Sequence, residues 1–468
     1  MKNLSYNLFL LIAMAVILAS CSMDALDEID TDPNNPTDVS INLLLPQVQI
    51  NLVNDLFAGT SARYITTYVE HTANVHLNPM LPEDTNTALW NESYDILMDL
   101  KIIIEKGTAE GNWQHVGTAK VIYAFVLGTL TDIFGDVPYS EALQGSANRN
   151  PKYDSQEAIY DALFAMLDEA VADLEKTAVT NPGPNDLLLK GNKAMWLKVA
   201  WGLKARYLNR LSNVDPAGSA TQALAAVAHS FASPAEGLIF SDYTNGSTNT
   251  NPFSIYEQKQ KTYAASLTIL QVINSFNGPG YADPRAERWF NKLNGTIIGA
   301  PNGENITDQT HKVYSGISTT NVLYGAAPQA ILTYDEMKFI EAEAHFRLGD
   351  RSKANAAYRQ AVTAACTRAG LTAEQVTSYT SQGNVFPDDG GLTLNTIVSQ
   401  KFLSFFLMQP IEAFNDYRRT GIPALYNTTD GVVKRLPYPT GELATNANAP
   451  TDINNVTIYT KKVWWAKE

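Results

Sequence analysis

A formal charge of −14 on 468 residues, from 34 Lys and Arg against 48 Asp and Glu with no basic stripe, argues against a nucleic-acid partner. That recognition runs on counterion release by clustered cations. Only Cys21 and Cys366 carry thiols, and with Cys21 placed in an N-terminal processing signal no intrachain disulfide framework is left, so stability must come from burial.

The chain opens with Lys2 and an apolar run from Leu8 to Ala19, twelve residues long. A spanning helix needs roughly 20, so the run reads as a signal-peptide core. It ends in Leu18-Ala19-Ser20-Cys21, which resembles a lipobox and predicts cleavage before Cys21 with lipid on the new N-terminus. Each buried acyl methylene contributes about 0.8 kcal/mol, so several chains on Cys21 anchor the protein without a spanning segment. The alternative is an ordinary secretory signal followed by an incidental cysteine, and it still exports the protein. Residues 1–20 are assigned as signal peptide, 21–40 as a lipidated, flexible acidic stalk, and 41–468 as a single body, since no Pro/Gly/Ser linker divides the rest.

Asp24, Asp27, Glu28, Asp30 and Asp32 with Pro33 and Pro36 give the stalk a composition that stays extended. Asp30, Asp32 and Asn34 match the opening of a calcium loop, but Asn35 stands where glycine is needed and Ile41 where a bidentate Glu belongs, so an EF-hand is rejected.

Helical spacing then dominates. Ala88 to Lys106 and Gly117 to Phe134 read as helices, and Asp154 to Lys176 keeps Ile159, Leu163, Leu167, Ala170 and Leu174 on one face. Asp154 is the predicted N-cap of that helix, with Glu157 as a capping-box partner. Lys193 to Leu211 follows, with Trp196 and Trp201 as packing residues, and then Ser266 to Phe276. Thr333 to Leu348 and Arg351 to Ala365 form a pair in which Ala342, Ala354 and Ala361 permit close approach, Gly349 makes the turn and Tyr358 fills the gap, as in a tetratricopeptide hairpin. Leu394 to Gln409 is the last predicted helix, with Pro410 to break or kink it. The polar stretches Ser241 to Pro252, Lys292 to Thr319 and Tyr426 to Ile458 are where a binding surface would be built.

Several blocks in order carry a family resemblance. Leu130-Thr131-Asp132-Ile133-Phe134-Gly135-Asp136-Val137-Pro138-Tyr139, Asp283-Pro284-Arg285, Tyr334-Asp335-Glu336, Asp416-Tyr417-Arg418-Arg419-Thr420-Gly421, Arg435-Leu436-Pro437-Tyr438 and Val463-Trp464-Trp465 together resemble the SusD/RagB family of surface nutrient-binding lipoproteins. The resemblance implies a mostly α fold in which tetratricopeptide-like helical hairpins form a scaffold with long irregular insertions. It also implies a lipid-anchored place on the outer membrane, facing the exterior. The implied partners are a TonB-dependent transporter of the SusC type and an oligosaccharide or peptide ligand delivered to it.

The residues alone also favour binding over catalysis. The six histidines are scattered, His71 and His76 miss the i, i+4 spacing of a helical zinc pair, and neither a Gly-x-Ser-x-Gly elbow nor a phosphate loop is present. No metal or cofactor is expected. Tyr68, Trp90 and Tyr324 are the candidate ligand contacts, each outside the strongest core patterns and near Asn or Gly. Gly135 is read as a turn residue, and Asp416 with Arg419 as an ion pair. A surface glycosidase or peptidase, or a helical-repeat scaffold binding only protein, are the competing readings.

Overall fold

The computed structural model describes residues 39–76, 85–246, 248–304, 306–308, 310–427 and 432–467. The assigned signal peptide, Cys21 and the stalk up to residue 38 lie outside them. Helices α1 (Ile41–Asn51) and α2 (Thr60–Tyr68) lead into β1 (Thr72–Asn74). Next come the long helices α3 (Thr85–Glu110) and α4 (Trp113–Phe134), the short strands β2 (Val137–Pro138) and β3 (Tyr153–Asp154), then α5 (Gln156–Glu175), α6 (Lys193–Arg210) and α7 (Pro216–Val227). Strand β4 (Gly237–Phe240), α8 (Pro252–Gln260), β5 (Tyr263–Ala265), α9 (Leu267–Ser275) and α10 (Arg285–Trp289) occupy the middle of the chain. Strand β6 (Gln329–Thr333) then enters the hairpin α11 (Tyr334–Arg347) and α12 (Arg351–Arg368), followed by α13 (Ala373–Thr380), α14 (Leu394–Ser404), α15 (Pro410–Thr420) and α16 (Thr440–Thr445). The body is mostly helical. Among the described residues its strands form three separate antiparallel pairs, β1 with β5, β2 with β3 and β4 with β6.

Side-chain caps set many helix starts. Asn192, Ser266, Thr333, Asp350 and Thr393 each accept a hydrogen bond from a backbone amide of the first turn, a contact whose loss costs typically about 1 kcal/mol. One expected cap is corrected: Ser155, not Asp154, caps α5, its Oγ accepting from the Ala158 amide at 3.3 Å. Asp154 is held in β3, where its carboxylate accepts from the Tyr139 and Ser140 amides at 3.0 and 2.7 Å. The cap therefore shifts by one residue, and Glu157 no longer stands at its third position. A second correction concerns residues 394–409, which are not one helix: α14 ends at Ser404, and Leu407 takes a φ of +61°. Pro410 then opens α15 at the first helical position, where a missing N–H costs nothing.

Close helix packing has a direct cause in small residues. A Cβ on Gly128 of α4 would lie 2.2 Å from the Tyr207 hydroxyl of α6, which donates to the Ala124 carbonyl at 3.1 Å. By length and composition α4 is apolar enough to cross a membrane, yet almost all of it is buried in the body, as a helix hydrophobic on every side must be. Trp196 is fully buried with its Nε1 donating to Asp186 at 2.7 Å, as a packing residue should be. Trp201 lies against the ring of His229.

The blocks that carry the family resemblance converge on a buried network of charge. Arg206 of α6 donates to both carboxylate oxygens of Glu336 at 2.6 and 2.7 Å, and Arg210 reaches Glu412 at 2.5 Å and Asp132 at 3.5 Å. Asp132 also accepts from the Tyr160 hydroxyl at 2.6 Å and from Nε1 of Trp465 at 2.8 Å. Arg419 bridges Glu343 and Asp416, and Lys401 reaches Asp416 at 2.8 Å. The expected Asp416–Arg419 pair is present, and Glu343 is wholly buried beside it, ion-paired with Arg419. Glu341 pairs with Lys338 at the surface side of α11. These contacts fasten α4, α6, α11, α14 and α15 to one another.

Gly135 shows why its position tolerates nothing else. Its φ is +82°, and an added Cβ would meet the Arg435 guanidinium at about 3 Å. Arg435 in turn donates to the Tyr438 hydroxyl at 2.8 Å, which donates to the Asp136 carbonyl at 2.7 Å. A turn conformation and a close neighbour both demand glycine here.

One buried acid links the fold to pH. Glu257 is 1% exposed; its Oε2 accepts from the Thr262 and Tyr263 amides, while Oε1 faces Nε2 of His311 at 3.7 Å. Burial pushes the Glu257 carboxyl up to about 8, more than the two amides pull it down, and burial lowers His311. The pair is therefore two neutral groups at neutral pH and not a salt bridge. Because the folded value exceeds the unfolded one, Glu257 contributes stability that is fully present below about pH 4.5 and is lost as pH rises through about 8. Glu257→Gln should flatten the fall in urea midpoint across that window. An equal fall in both proteins would refute the assignment.

Candidate functional site

Trp90 and Tyr94 sit one turn apart on α3, so their rings share a face of the helix, with centroids 5.1 Å apart. Behind Trp90 stand Phe134 at 5.1 Å and Tyr438 at 5.8 Å, both edge to face, and Tyr153 stacks alongside at 6.3 Å. Polar atoms on these rings are tied down. The Tyr94 hydroxyl donates to the Pro138 carbonyl at 2.8 Å, and the Tyr153 hydroxyl donates to Glu442 at 2.9 Å. Helix α3, strands β2 and β3, and helix α16 thus close around a groove of about 360 Å³.

The groove combines apolar and polar walls. Trp90, Tyr94, Pro138 and Leu143 supply ring and aliphatic faces, while Asn91, Asp95 and Glu442 supply hydrogen-bonding atoms. Asn91 and Asp95 are exposed, and Tyr94 is half-buried. Close by on α3, burial and then repulsion from Asp55 and Asp95 raise the Glu92 carboxyl to about 7, and the acid character of the groove's rim rests on Asp95 and Glu442. Such a surface offers stacking to the C–H face of a neutral polyol and acceptors to its hydroxyls, and it repels anions.

The three expected contacts fare differently. Tyr68 is 3% exposed, and its ring packs 6.3 Å from Phe414, because α2 lies beneath α15; it has no face to offer a ligand. Trp90 does line the groove but is 5% exposed, so it forms the floor and not an open platform. Tyr324 is 36% exposed and lines a different cavity, with Trp289 and Arg288. The structure does not bring the three together. Tyr94 and Asp95 were within reach of sequence reasoning, since they lie four and five residues from Trp90 on one predicted helix. Pro138 and Glu442 carry no such signal, being joined to the groove by folding alone.

Among the described residues no group of three or more His, Cys, Asp or Glu is arranged to hold a metal ion. His71 is a core residue, its Nε2 at 2.9 Å from the Phe402 carbonyl, and burial lowers it to about 3.

Comparison with known proteins gives a consistent answer. Residues 33–440 match the SusD-like family model, described as starch-binding, associating with outer membrane. A SusD/RagB family protein from Bacteroides thetaiotaomicron superposes with a TM-score of 0.78 at 26% identity, covering 92% of this chain and 99% of that one. A chitin-binding SusD homologue from Flavobacterium johnsoniae gives a TM-score of 0.75 at 21% identity, over 90% of this chain and 98% of its own. A SusD homologue from Bacteroides uniformis gives 0.73 at 22% identity, over 91% and 99%. A search of curated proteins found no match.

Proposed function

Because this chain belongs to the SusD-like family of starch-binding proteins that associate with the outer membrane, we propose that it binds a neutral oligosaccharide in the groove over Trp90 and passes it to a TonB-dependent transporter of the SusC type. The observation that carries the ligand class is the pairing of a half-buried Tyr94 ring with the exposed Asn91 and Asp95 on one helix face. A sugar needs both: an apolar surface for its C–H face and acceptors for its hydroxyls. Peptide is the less fitting ligand, since the groove's lining offers ring faces and acceptors but, among the described residues, no Lys or Arg to pair a terminal carboxylate. The protein captures and does not turn over its ligand, and the family is one of binding proteins. In this reading the body is held at the exterior face of the outer membrane by lipid on Cys21.

The test is a titration of the purified body with chitin- and starch-derived oligosaccharides. Asp95→Ala is expected to weaken the best ligand about tenfold, the loss of one charge-assisted hydrogen bond of about 1.5 kcal/mol. Its urea midpoint should be unchanged, since the side chain is exposed. Unaltered affinity in Asp95→Ala and Asn91→Ala together would remove the groove from consideration. Co-purification of a large outer-membrane barrel checks the second half of the proposal.

A further inference from the structure

The cavity at Tyr324 has a chemistry opposite to that of the groove. It encloses about 200 Å³ between α10, the end of α12 and the turn after α14, and three guanidinium groups line it, those of Arg285, Arg288 and Arg368. No Asp or Glu lines it among the described residues. Two of the three cations have carboxylate partners elsewhere: Arg285 donates to Asp283 at 2.6 Å, and Arg368 to Asp335 at 2.6 Å. Arg288 has none among the described residues; its Nε donates to the Ala369 carbonyl at 2.9 Å. Gly370 lies directly beside it, so that a Cβ there would stand 2.5 Å from Nη2 of Arg288. Arg285 adds a further unmet demand. It is 1% exposed, its Nε and Nη2 are taken by Asp283, Tyr379 and Gln400, and its buried Nη1 has no hydrogen-bond partner among the described residues.

Arg288 is half-buried, and a guanidinium without a carboxylate partner in a partly enclosed site is better compensated when an anion neutralises it. On a chain of charge −14, one guanidinium without a carboxylate partner beside two paired ones leaves a local excess of positive charge at this cavity. The volume is that of about six or seven waters at about 30 Å³ each, enough for one small anionic group and its carrier ring but not for a chain of sugars. Trp289, stacked on Phe406 at 4.5 Å, and the half-open Tyr324 supply aromatic surface beside the guanidinium fork.

We propose that this cavity binds an oxyanion, carboxylate or sulfate, carried on a single sugar unit, with Arg288 as the principal donor. The sugar part rests on the glycan-binding reading above, whereas the oxyanion part stands on the arginines alone. The protein would then recognise a glycan with both neutral and acidic units, at two separate places.

The experiment is an NMR titration of the folded body at low salt, following the Trp289 indole N–H, with glucuronate, glucose 6-sulfate, glucose and N-acetyl-dialanine. Glucuronate or the sulfate should shift the indole resonance and glucose should not; Arg288→Gln should weaken the anionic sugar at least tenfold. Neutral oligosaccharide binding at the Trp90 groove should be unchanged in that variant, which separates the two sites. Equal shifts from glucose and glucuronate, or an Arg288→Gln variant with undiminished anion affinity, would overturn the proposal. N-acetyl-dialanine binding as tightly as glucuronate would overturn its sugar part. Loss of groove binding in Asp95→Ala with the glucuronate shift retained supports two independent sites, and an absence of any neutral-glycan binding would count against the groove alone.

Discussion

Arg210→Met is expected to destabilise the body by about 3–5 kcal/mol, the range found when one partner of a buried ion pair is removed. Arg210 is 2% exposed and lies between Glu412 at 2.5 Å and Asp132 at 3.5 Å. Both carboxylates are buried, so without Arg210 each keeps the cost of desolvation and loses a cation, Glu412 retaining Arg206 at 3.6 Å and Asp132 its neutral donors Tyr160 and Trp465. The methionine fills most of the volume, which separates the electrostatic loss from a cavity. Arg210 also holds the Glu412 carboxyl below the usual range against the upward push of burial. In its absence Glu412 takes a proton more readily, and the deficit should shrink as pH falls. A second substitution sharpens the test: Glu412→Gln in the Arg210→Met background removes the stranded charge and should recover part of the loss. The readout is the urea midpoint with its slope. A single variant within about 1 kcal/mol of the parent, or a double variant with no recovery, would show that the network contributes little.

Cys21→Ala, made with residues 1–20 replaced by an ordinary cleavable secretory signal so that no uncleaved apolar run remains, should move nearly all of the protein from the membrane to the soluble fraction. On the proposed lipidation of Cys21 each buried methylene contributes about 0.8 kcal/mol, so removing every acyl chain at once would remove the anchor as a whole. Ligand affinity should stay at the parental value, since Cys21 stands twenty residues before the first helix at Ile41. Fractionation followed by oligosaccharide titration of the released protein measures both. Retention in the membrane would argue against lipid at Cys21, and loss of affinity would argue against a tether separate from the binding body.

Most residues of the ordered blocks are found in the scaffold, while Pro138 also lines the groove and Arg285 the arginine-lined cavity. Asp132, Glu336, Asp416, Arg419 and Trp465 are legible in the sequence as parts of the blocks that resemble the family, and each is found paired inside the body. Gly135 belongs with them. The candidate ligand contacts were harder to place. Tyr68 falls on a short helix whose covering partner, α15, is some 350 residues away in sequence, roughly, at a separation no local pattern encodes. Trp90 was singled out for an open ring and supplies a floor instead, because Phe134, Tyr153 and Tyr438 close around it from three other segments.

By itself the sequence determined the helical class, the hairpin of α11 and α12, and the anionic character that disfavours nucleic acid. These depend on periodicity, small-residue spacing and composition, all of which are local or additive along the chain. Only the tertiary structure decided which aromatic rings face solvent and which carboxylates lie with which cations. It alone separated an acid-rimmed groove at Asp95 from an arginine-lined cavity at Arg288. Exposure and electrostatic environment are set by neighbours distant in the chain, and those neighbours exist only once the helices have packed.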